Sequence, residues 1–272
     1  MPRAREGADL VIDGERVHYV EQGGGDAIVL IHGFPGSGQL SFGRLLPLLP
    51  PDRRVVAIDL VGLGWSDRGR LGDYAPAAQA PRVLKVMDAL DIDVATVVGS
   101  SFGGAVAQHV ALLEPERVQR LVLLASLDAH DPPRSWKKEW HYACRILLLL
   151  TALRAPWLGR RLRLKVAKPY TGWTTEWDEQ AAIDATRYTQ LPGTARSALK
   201  IMRDMTRATS ADITRIGAAT LVVSGSADTR VPPSVGNAIA AQVAGARHVV
   251  LAGCPHGLAQ HQPQAIADLI AD

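Results

Sequence analysis

VVGSSFGGAVAQHVALL, residues 97–113, runs from an apolar stretch into an amphipathic one through two adjacent serines set among glycines. The first part is too short for a helix and reads as a buried strand. The second has helical spacing. A serine held on a sharp strand-to-helix turn needs small residues two places before and after it, because larger side chains there collide across the turn. For Ser101 those neighbours are Gly99 and Gly103, whereas for Ser100 they are Val98 and Phe102. Ser101 is therefore the candidate nucleophile. The same turn directs the backbone N–H of Phe102 toward any oxyanion formed on an acyl group attacked by Ser101. A helix-capping serine among permissive glycines has the same letters, so the rest of the chain must decide.

Outward from this stretch the rhythm repeats. AIVLIHG, RRVVAIDL, ATVVGS and RLVLLAS are short continuous apolar runs, separated by helical patterns such as APRVLKVMDAL and GAVAQHVALLEPERV. Strands buried on both faces and alternating with helices predict an α/β fold with a mostly parallel sheet. DLVIDG and ERVHYVEQG, split at Asp13-Gly14, predict an antiparallel hairpin at its start. The rhythm stops after Ser126 and resumes at ATLVVSGSAD, followed by ARHVVLAGC and a closing helix rich in Ala, Ile and Leu. Residues 1–127 and 214–272 are accordingly read as the core, and residues 128–213 as an inserted helical cap over the carboxyl edge of the sheet.

Open parallel sheets place ligands beyond the carboxyl ends of their strands. HGFPGSG, residues 32–38, stands at one such end, and the N–H of Phe34 is the natural second oxyanion donor. A serine hydroxyl also needs a base oriented by a third group. His256, in AGCPHGLAQ after the last strand, is the candidate base, and Asp228, in SGSADTRVPP, the candidate acid. His248 falls inside a strand, His261 lies farther along the last helix, and His32 reads as structural. Asp128 and Asp131, just past RLVLLAS, are weaker rivals to Asp228.

Composition limits the alternatives. The 272 residues carry a net charge of +3, with 47% hydrophobic and 21% charged residues, as in a folded soluble protein. No secretory or transit segment is read at the amino terminus, so the cytoplasm is the expected compartment. ILLLLTAL, residues 146–153, is far short of the roughly 20 residues that cross a bilayer. Cys144 and Cys254 have no metal-ligand spacing, and no metal, organic cofactor or nucleic-acid partner is implied. About ten Lys and Arg stand against one acid between Arg134 and Lys168, while the remainder of the chain is acidic. That basic segment reads first as a solvated helical face and second as a peripheral contact with anionic lipid. Within it Trp136, Trp140, Cys144, Leu147 and Leu148 recur at helical spacing. Such a stripe is how a cap packs; as a lid over a serine it also makes Trp136, Trp140 and Leu147 candidate contacts for a hydrophobic substrate.

HGFPGSG, DLVGLGWSDR, VVGSSFGG, SGSADTRVP and GCPHG, in this order and at these strand ends, resemble the α/β-hydrolase family with a helical cap. The resemblance covers the whole chain and implies an eight-stranded, mostly parallel sheet with helices on both faces. It implies a Ser101, Asp228, His256 triad, with DLVGLGWSDR (residues 59–68) bracing the oxyanion region. Serine at the elbow, in place of aspartate, argues against the haloalkane dehalogenase and epoxide hydrolase branches. VGSSFGG and the SDR loop also resemble serine C–C bond hydrolases of aromatic ring-cleavage pathways. Those usually follow the histidine with tryptophan, where this chain has Gly257, and carry an HGSGPG-like loop where it has HGFPGSG. The expectation is thus hydrolysis of a hydrophobic carboxylic ester, with a medium to long acyl or an aryl group, through an acyl-enzyme, with C–C bond hydrolysis second and a small-molecule receptor of little turnover third. Oligomeric state is left open.

Overall fold

In the computed structural model, which describes residues 7–69, 72–129, 187, 190–205 and 211–272, the expected hairpin comes first. β1 (Ala8–Ile12) and β2 (Glu15–Gln22) pair antiparallel, with Ile12 opposite Glu15. Asp13 and Gly14 turn the chain at φ of 52° and 78°, the left-handed values that suit an Asp-Gly hairpin. Next come β3 (Ala27–Ile31), β4 (Arg54–Ile58), β5 (Ala95–Ser100), β6 (Val118–Leu124), β7 (Ala219–Gly225) and β8 (Arg247–Leu251). Among the described residues these make one eight-stranded sheet in the order β1-β2-β4-β3-β5-β6-β7-β8. β2 meets β4 antiparallel, and every pairing beyond is parallel.

Both faces of the sheet are covered, which is why its central strands are apolar at consecutive positions. Val29, Ile31, Val97, Leu121 and Leu123 face a cluster that includes Val83 and Met87 of α2 (Pro76–Ala89) and Val106 and Val110 of α3 (Phe102–Leu113). Their neighbours Ile28, Leu30, Val98, Val122 and Leu124 face the opposite cluster. There they meet Phe42 of α1 (Gly38–Phe42). The run read as helical from Ala80 begins at Pro76, because proline's fixed φ suits a first helical turn and the Asp73 carboxylate accepts the Ala75 N–H at 2.9 Å.

The chain leaves β3 for β4 on one side and returns to β5 on the other, and the helices after β3 and β5 enter opposite clusters. A crevice at the carboxyl ends of β3 and β5 is the consequence.

Most of the segment read as a cap, including Trp136, Trp140 and Leu147, lies outside the described residues. Its described part centres on α4 (Thr194–Met205). The pattern ATRYTQLPGTARSALKIMRDM predicts helical repeats, and Gly193, with φ of 89°, stands directly before the one that is α4. α4 buries Ala198, Ile201 and Met202 in the α2/α3 cluster. Polar bonds fasten it to the loop after β4: Ser197 Oγ donates to the Gly62 carbonyl at 2.8 Å, and Arg68 Nε donates to Thr194 Oγ1 at 3.2 Å. Asp204, fully buried, accepts the Tyr74 N–H at 3.2 Å. The carboxyl-terminal helices are α5 (Pro233–Gln242), α6 (Leu258–His261) and α7 (Pro263–Ala271).

Candidate active site

Ser101 sits at φ 54° and ψ −116°, on the step between β5 and α3. A non-glycine residue so placed costs on the order of 1–3 kcal/mol, which surrounding structure must offset. Its N–H donates to the Leu124 carbonyl at 2.9 Å, and its own carbonyl accepts from Gly104 N at 2.9 Å and Leu127 N at 3.1 Å. Although Ser101 occupies the capping position of α3, its side chain makes no capping hydrogen bond. The glycines are needed for space. A Cβ on Gly99 would stand 2.6 Å from Gly104 Cα, and one on Gly103 would strike the Ile31 carbonyl and stand 2.5 Å from the His32 carbonyl oxygen.

The hydroxyl is engaged. His256 Nε2 lies 3.0 Å from Ser101 Oγ, and His256 Nδ1 lies 2.7 Å from Asp228 Oδ2. A carboxylate only accepts, so Nδ1 carries the proton and Nε2 is left to accept from the serine hydroxyl. The Asp228 side chain is fully buried, and its other oxygen accepts the N–H groups of Arg230 at 2.8 Å and Val231 at 2.9 Å. Burial pushes this carboxyl up, but the hydrogen bond and charge of His256 and the two backbone N–H groups outweigh it and hold the group below its ordinary value. The structure thus brings Ser101 together with His256, 155 positions later, and with Asp228, 28 positions before that histidine.

The rivals lie elsewhere. His248 Nε2 is 2.9 Å from Ser224 Oγ on the neighbouring strand, and His261 ends α6. The acid beside His256 is Asp228, Asp128 stands past the end of β6, and Asp131 is outside the described residues. Cys254, two residues before His256, is buried, and burial together with the Asp228 charge raises its thiol to about 11, so it stays protonated.

Phe34 and Phe102 flank the serine from the two loops. Among the described residues neither backbone N–H has a protein acceptor. Phe102 opens α3, where the helix dipole favours negative charge. Gly33 lies against the elbow, since a Cβ on it would stand 3.1 Å from Ser101 Cβ.

Residues 59–68 hold the loop after β3 from outside. Asp59, 2% exposed, accepts Gly38 N at 2.6 Å and Trp65 N at 2.7 Å, and Gly64 N donates to the Gly36 carbonyl at 3.2 Å.

Sequence reasoning passed over Gln108. Buried in α3, its amide nitrogen donates to Ser126 Oγ at 2.9 Å and the Leu127 carbonyl at 2.8 Å, while its amide oxygen accepts Ala129 N at 3.1 Å. It ties the helix behind the serine to the segment leaving β6. The available signal was a polar amide among the apolar residues of GAVAQHVALL.

Among the described residues no cluster of three or more His, Cys, Asp or Glu is placed to hold a metal ion, and no helix is long and apolar enough to cross a membrane.

Residues 26–259 match the model of the alpha/beta hydrolase fold family. The chain belongs to this family. Among curated relatives of this α/β-hydrolase, the 2-hydroxymuconate semialdehyde hydrolase of Pseudomonas sp. (strain CF600) is 38% identical over 128 residues, 46% of this chain and 45% of that protein. The 2-hydroxy-6-oxo-2,4-heptadienoate hydrolase of Pseudomonas putida is 33% identical over 126 residues, 46% of each chain. The chain thus spans less than half the length of the curated relatives it matches. Solved structures align throughout. A meta-cleavage product hydrolase from Pseudomonas fluorescens IP01 superposes with a TM-score of 0.77 at 26% identity, covering 97% of this chain and 96% of that one. An esterase from Thermogutta terrifontis superposes at 0.74 and 20% identity, covering 98% and 97%, a likeness of fold alone.

Proposed function

We propose that this α/β-hydrolase is a serine hydrolase that cleaves a bond to a carbonyl carbon through an acyl-enzyme. The single observation carrying the reading is the unbroken relay from Ser101 Oγ through both ring nitrogens of His256 to the buried Asp228 carboxylate. Ser101 attacks the carbonyl carbon as its proton passes to His256 Nε2, and the ionised Asp228 holds the ring and stabilises its positive form. The oxyanion is taken by the N–H groups of Phe34 and Phe102. His256 then gives its proton to the leaving group. Water, deprotonated by the same nitrogen, attacks the acyl carbon and releases the acid from Ser101. None of these steps calls on a metal or an organic cofactor.

Two leaving groups compete. An ester expels an alkoxide and needs nothing beyond the relay and the two amides, which favours a hydrophobic carboxylic ester. A carbon leaving group must depart as a stabilised enolate, a further demand on the site. The 38% identity to a 2-hydroxymuconate semialdehyde hydrolase supports this second reading at least as strongly. Gly257 and the HGFPGSG loop are the departures that count against it.

Turnover of p-nitrophenyl acetate, butyrate and octanoate beside 2-hydroxymuconate semialdehyde separates the two. A preference of about a hundredfold in kcat/KM assigns the class. If Ser101 is labelled by a fluorophosphonate but no substrate of either kind turns over more than once, a receptor replaces the enzyme.

A further inference from the structure

Among the described residues at the crevice, His32 is a fully buried titratable side chain that the relay does not use. Its ring is held at both ends. Leu60 N donates to Nε2 at 3.1 Å, so Nε2 carries no proton. Nδ1 therefore does, and it donates to the carbonyl oxygen of Gly33 at 2.7 Å. Burial lowers the imidazolium's pKa, outweighing the nearby Asp59 and the Gly33 bond, in keeping with the neutral ring that the Leu60 N–H requires.

The Gly33 carbonyl and the Phe34 N–H belong to the same peptide group. That peptide is trans and planar, so its C=O and N–H point in opposite directions. Whatever fixes the carbonyl fixes the N–H. On the far side Gly36 leaves room for the arrangement, since a Cβ there would stand 2.9 Å from the Gly33 oxygen and 3.3 Å from His32 Nδ1. Glycine at 33 makes the opposite orientation accessible, because this residue adopts backbone angles closed to others. The peptide needs a lock.

We propose that His32 is a positioning residue: by gripping the Gly33 carbonyl it holds the Phe34 N–H toward the acyl oxygen, and so sets the rate of attack by Ser101. This rests on the serine-hydrolase reading, with Phe34 as an oxyanion donor. His32 touches no substrate atom. Its effect falls on the transition state, where charge builds on the oxygen, and leaves substrate binding nearly unchanged.

The test compares His32→Asn, His32→Gln and Gly36→Ala with the parent and with Ser101→Ala. An asparagine amide N–H falls near the position of Nδ1 and can still grip the Gly33 carbonyl, whereas a glutamine amide reaches toward Leu60 and cannot. Gly36→Ala presses on the same peptide without altering His32. The readout is the second-order rate of fluorophosphonate labelling, in which a Ser101 Oγ–P bond forms, fluoride leaves and the phosphoryl oxygen occupies the oxyanion site. It is paired with kcat and KM on p-nitrophenyl acetate and with thermal unfolding.

His32→Gln and Gly36→Ala are expected to label about 10- to 100-fold more slowly, the scale of a displaced donor, with KM within about threefold of the parent. His32→Asn recovers most of that loss. Folded His32→Gln and Gly36→Ala proteins that label at the parental rate would overturn the proposal, as would His32→Asn falling as far as His32→Gln. If the His32 variants do not fold, the labelling rate of Gly36→Ala decides by itself. Labelling of Ser101→Ala at the parental rate would instead overturn the serine reading beneath it. An unlabelled Ser101→Ala with an unaffected His32→Gln removes the lock alone.

Discussion

Two glycine-bearing loops meet at the crevice and are held in different ways. The elbow after β5 is shaped by exclusion: Gly99 and Gly103 have no room for a methyl group, and the backbone of Ser101 is forced into a conformation a serine seldom adopts. The loop after β3 is shaped by attraction. Asp59 grips Gly38, His32 grips Gly33, and Gly64 grips Gly36. Steric exclusion presses the elbow against its own helix at Gly104 and against the end of β3 at Ile31, whereas the clamps from Asp59 and Gly64 reach across from the loop after β4. The elbow should therefore tolerate loss of its hydroxyl and fail on added volume. The other loop should fail on loss of an acceptor.

The largest effect tests the hydroxyl. Ser101→Ala is expected to lower kcat by about 10⁴-fold or more on whichever substrate proves active, since the parts of such a relay act as a unit. Its unfolding midpoint should stay within a few degrees of the parent, because no capping bond is lost. Activity above a tenth of the parent would mean that the nucleophile is elsewhere. Gly103→Ala is the converse experiment. A Cβ striking the Ile31 carbonyl displaces backbone on β3, so a loss of roughly 2–4 kcal/mol in urea unfolding is expected, with the serine still present. A neutral result would show that the elbow has more play than its glycines imply.

The same contrast explains what could be read from the sequence. GSSFG was legible because its constraint is local: four letters around one serine decide which serine fits. The sheet was legible too, since runs such as AIVLI are apolar at every position only if both faces are covered. Positions 228 and 256 were found by looking just past the last two strands. Gln108 was not, because an amide in an apolar helix announces neither its partners nor their distance. His32 read as structural, yet its bond to the Gly33 carbonyl depends on a tautomer set by Leu60, twenty-eight residues away. The start of α4 just after Gly193 was not marked, since the amphipathic pattern continues on both sides of that glycine and its positive φ is seen only in the structure.

A middle-sized effect probes the clamps. Asp59→Asn keeps shape but replaces one acceptor oxygen by N–H₂, which then faces the N–H of Gly38 or of Trp65. One buried donor is left unsatisfied, at a cost of about 1–3 kcal/mol. If attraction holds the loop after β3, this variant should also slow fluorophosphonate labelling about tenfold while leaving the elbow intact. Lost stability with an unchanged labelling rate would show that the clamp supports the fold without supporting the site.

The smallest effect separates two buried histidines, one behind each loop. His32 has both ring nitrogens bonded, whereas the buried Nε2 of His109 in α3 has no partner among the described residues. Burial lowers the pKa of both below 6.5. Above that value neither state binds a proton. As pH falls below it the unfolded chain gains protons that the native chain refuses, so stability declines until each folded pKa is reached. The slope is at most about 1.4 kcal/mol per pH unit for each histidine. Asp228, held below its ordinary 3.8, adds its own loss at lower pH as the carboxylate is protonated. His109→Leu removes an unsatisfied nitrogen and one histidine contribution, leaving those of His32 and of His248, whose pKa burial also lowers. It should raise stability at pH 7 by up to about 1 kcal/mol and flatten the decline between pH 6.5 and 5, measured by urea unfolding. Labelling of Ser101 should not change. Slower labelling in that variant would mean that the helix behind the elbow transmits its packing to the serine, and that exclusion by glycine is not sufficient to hold the turn.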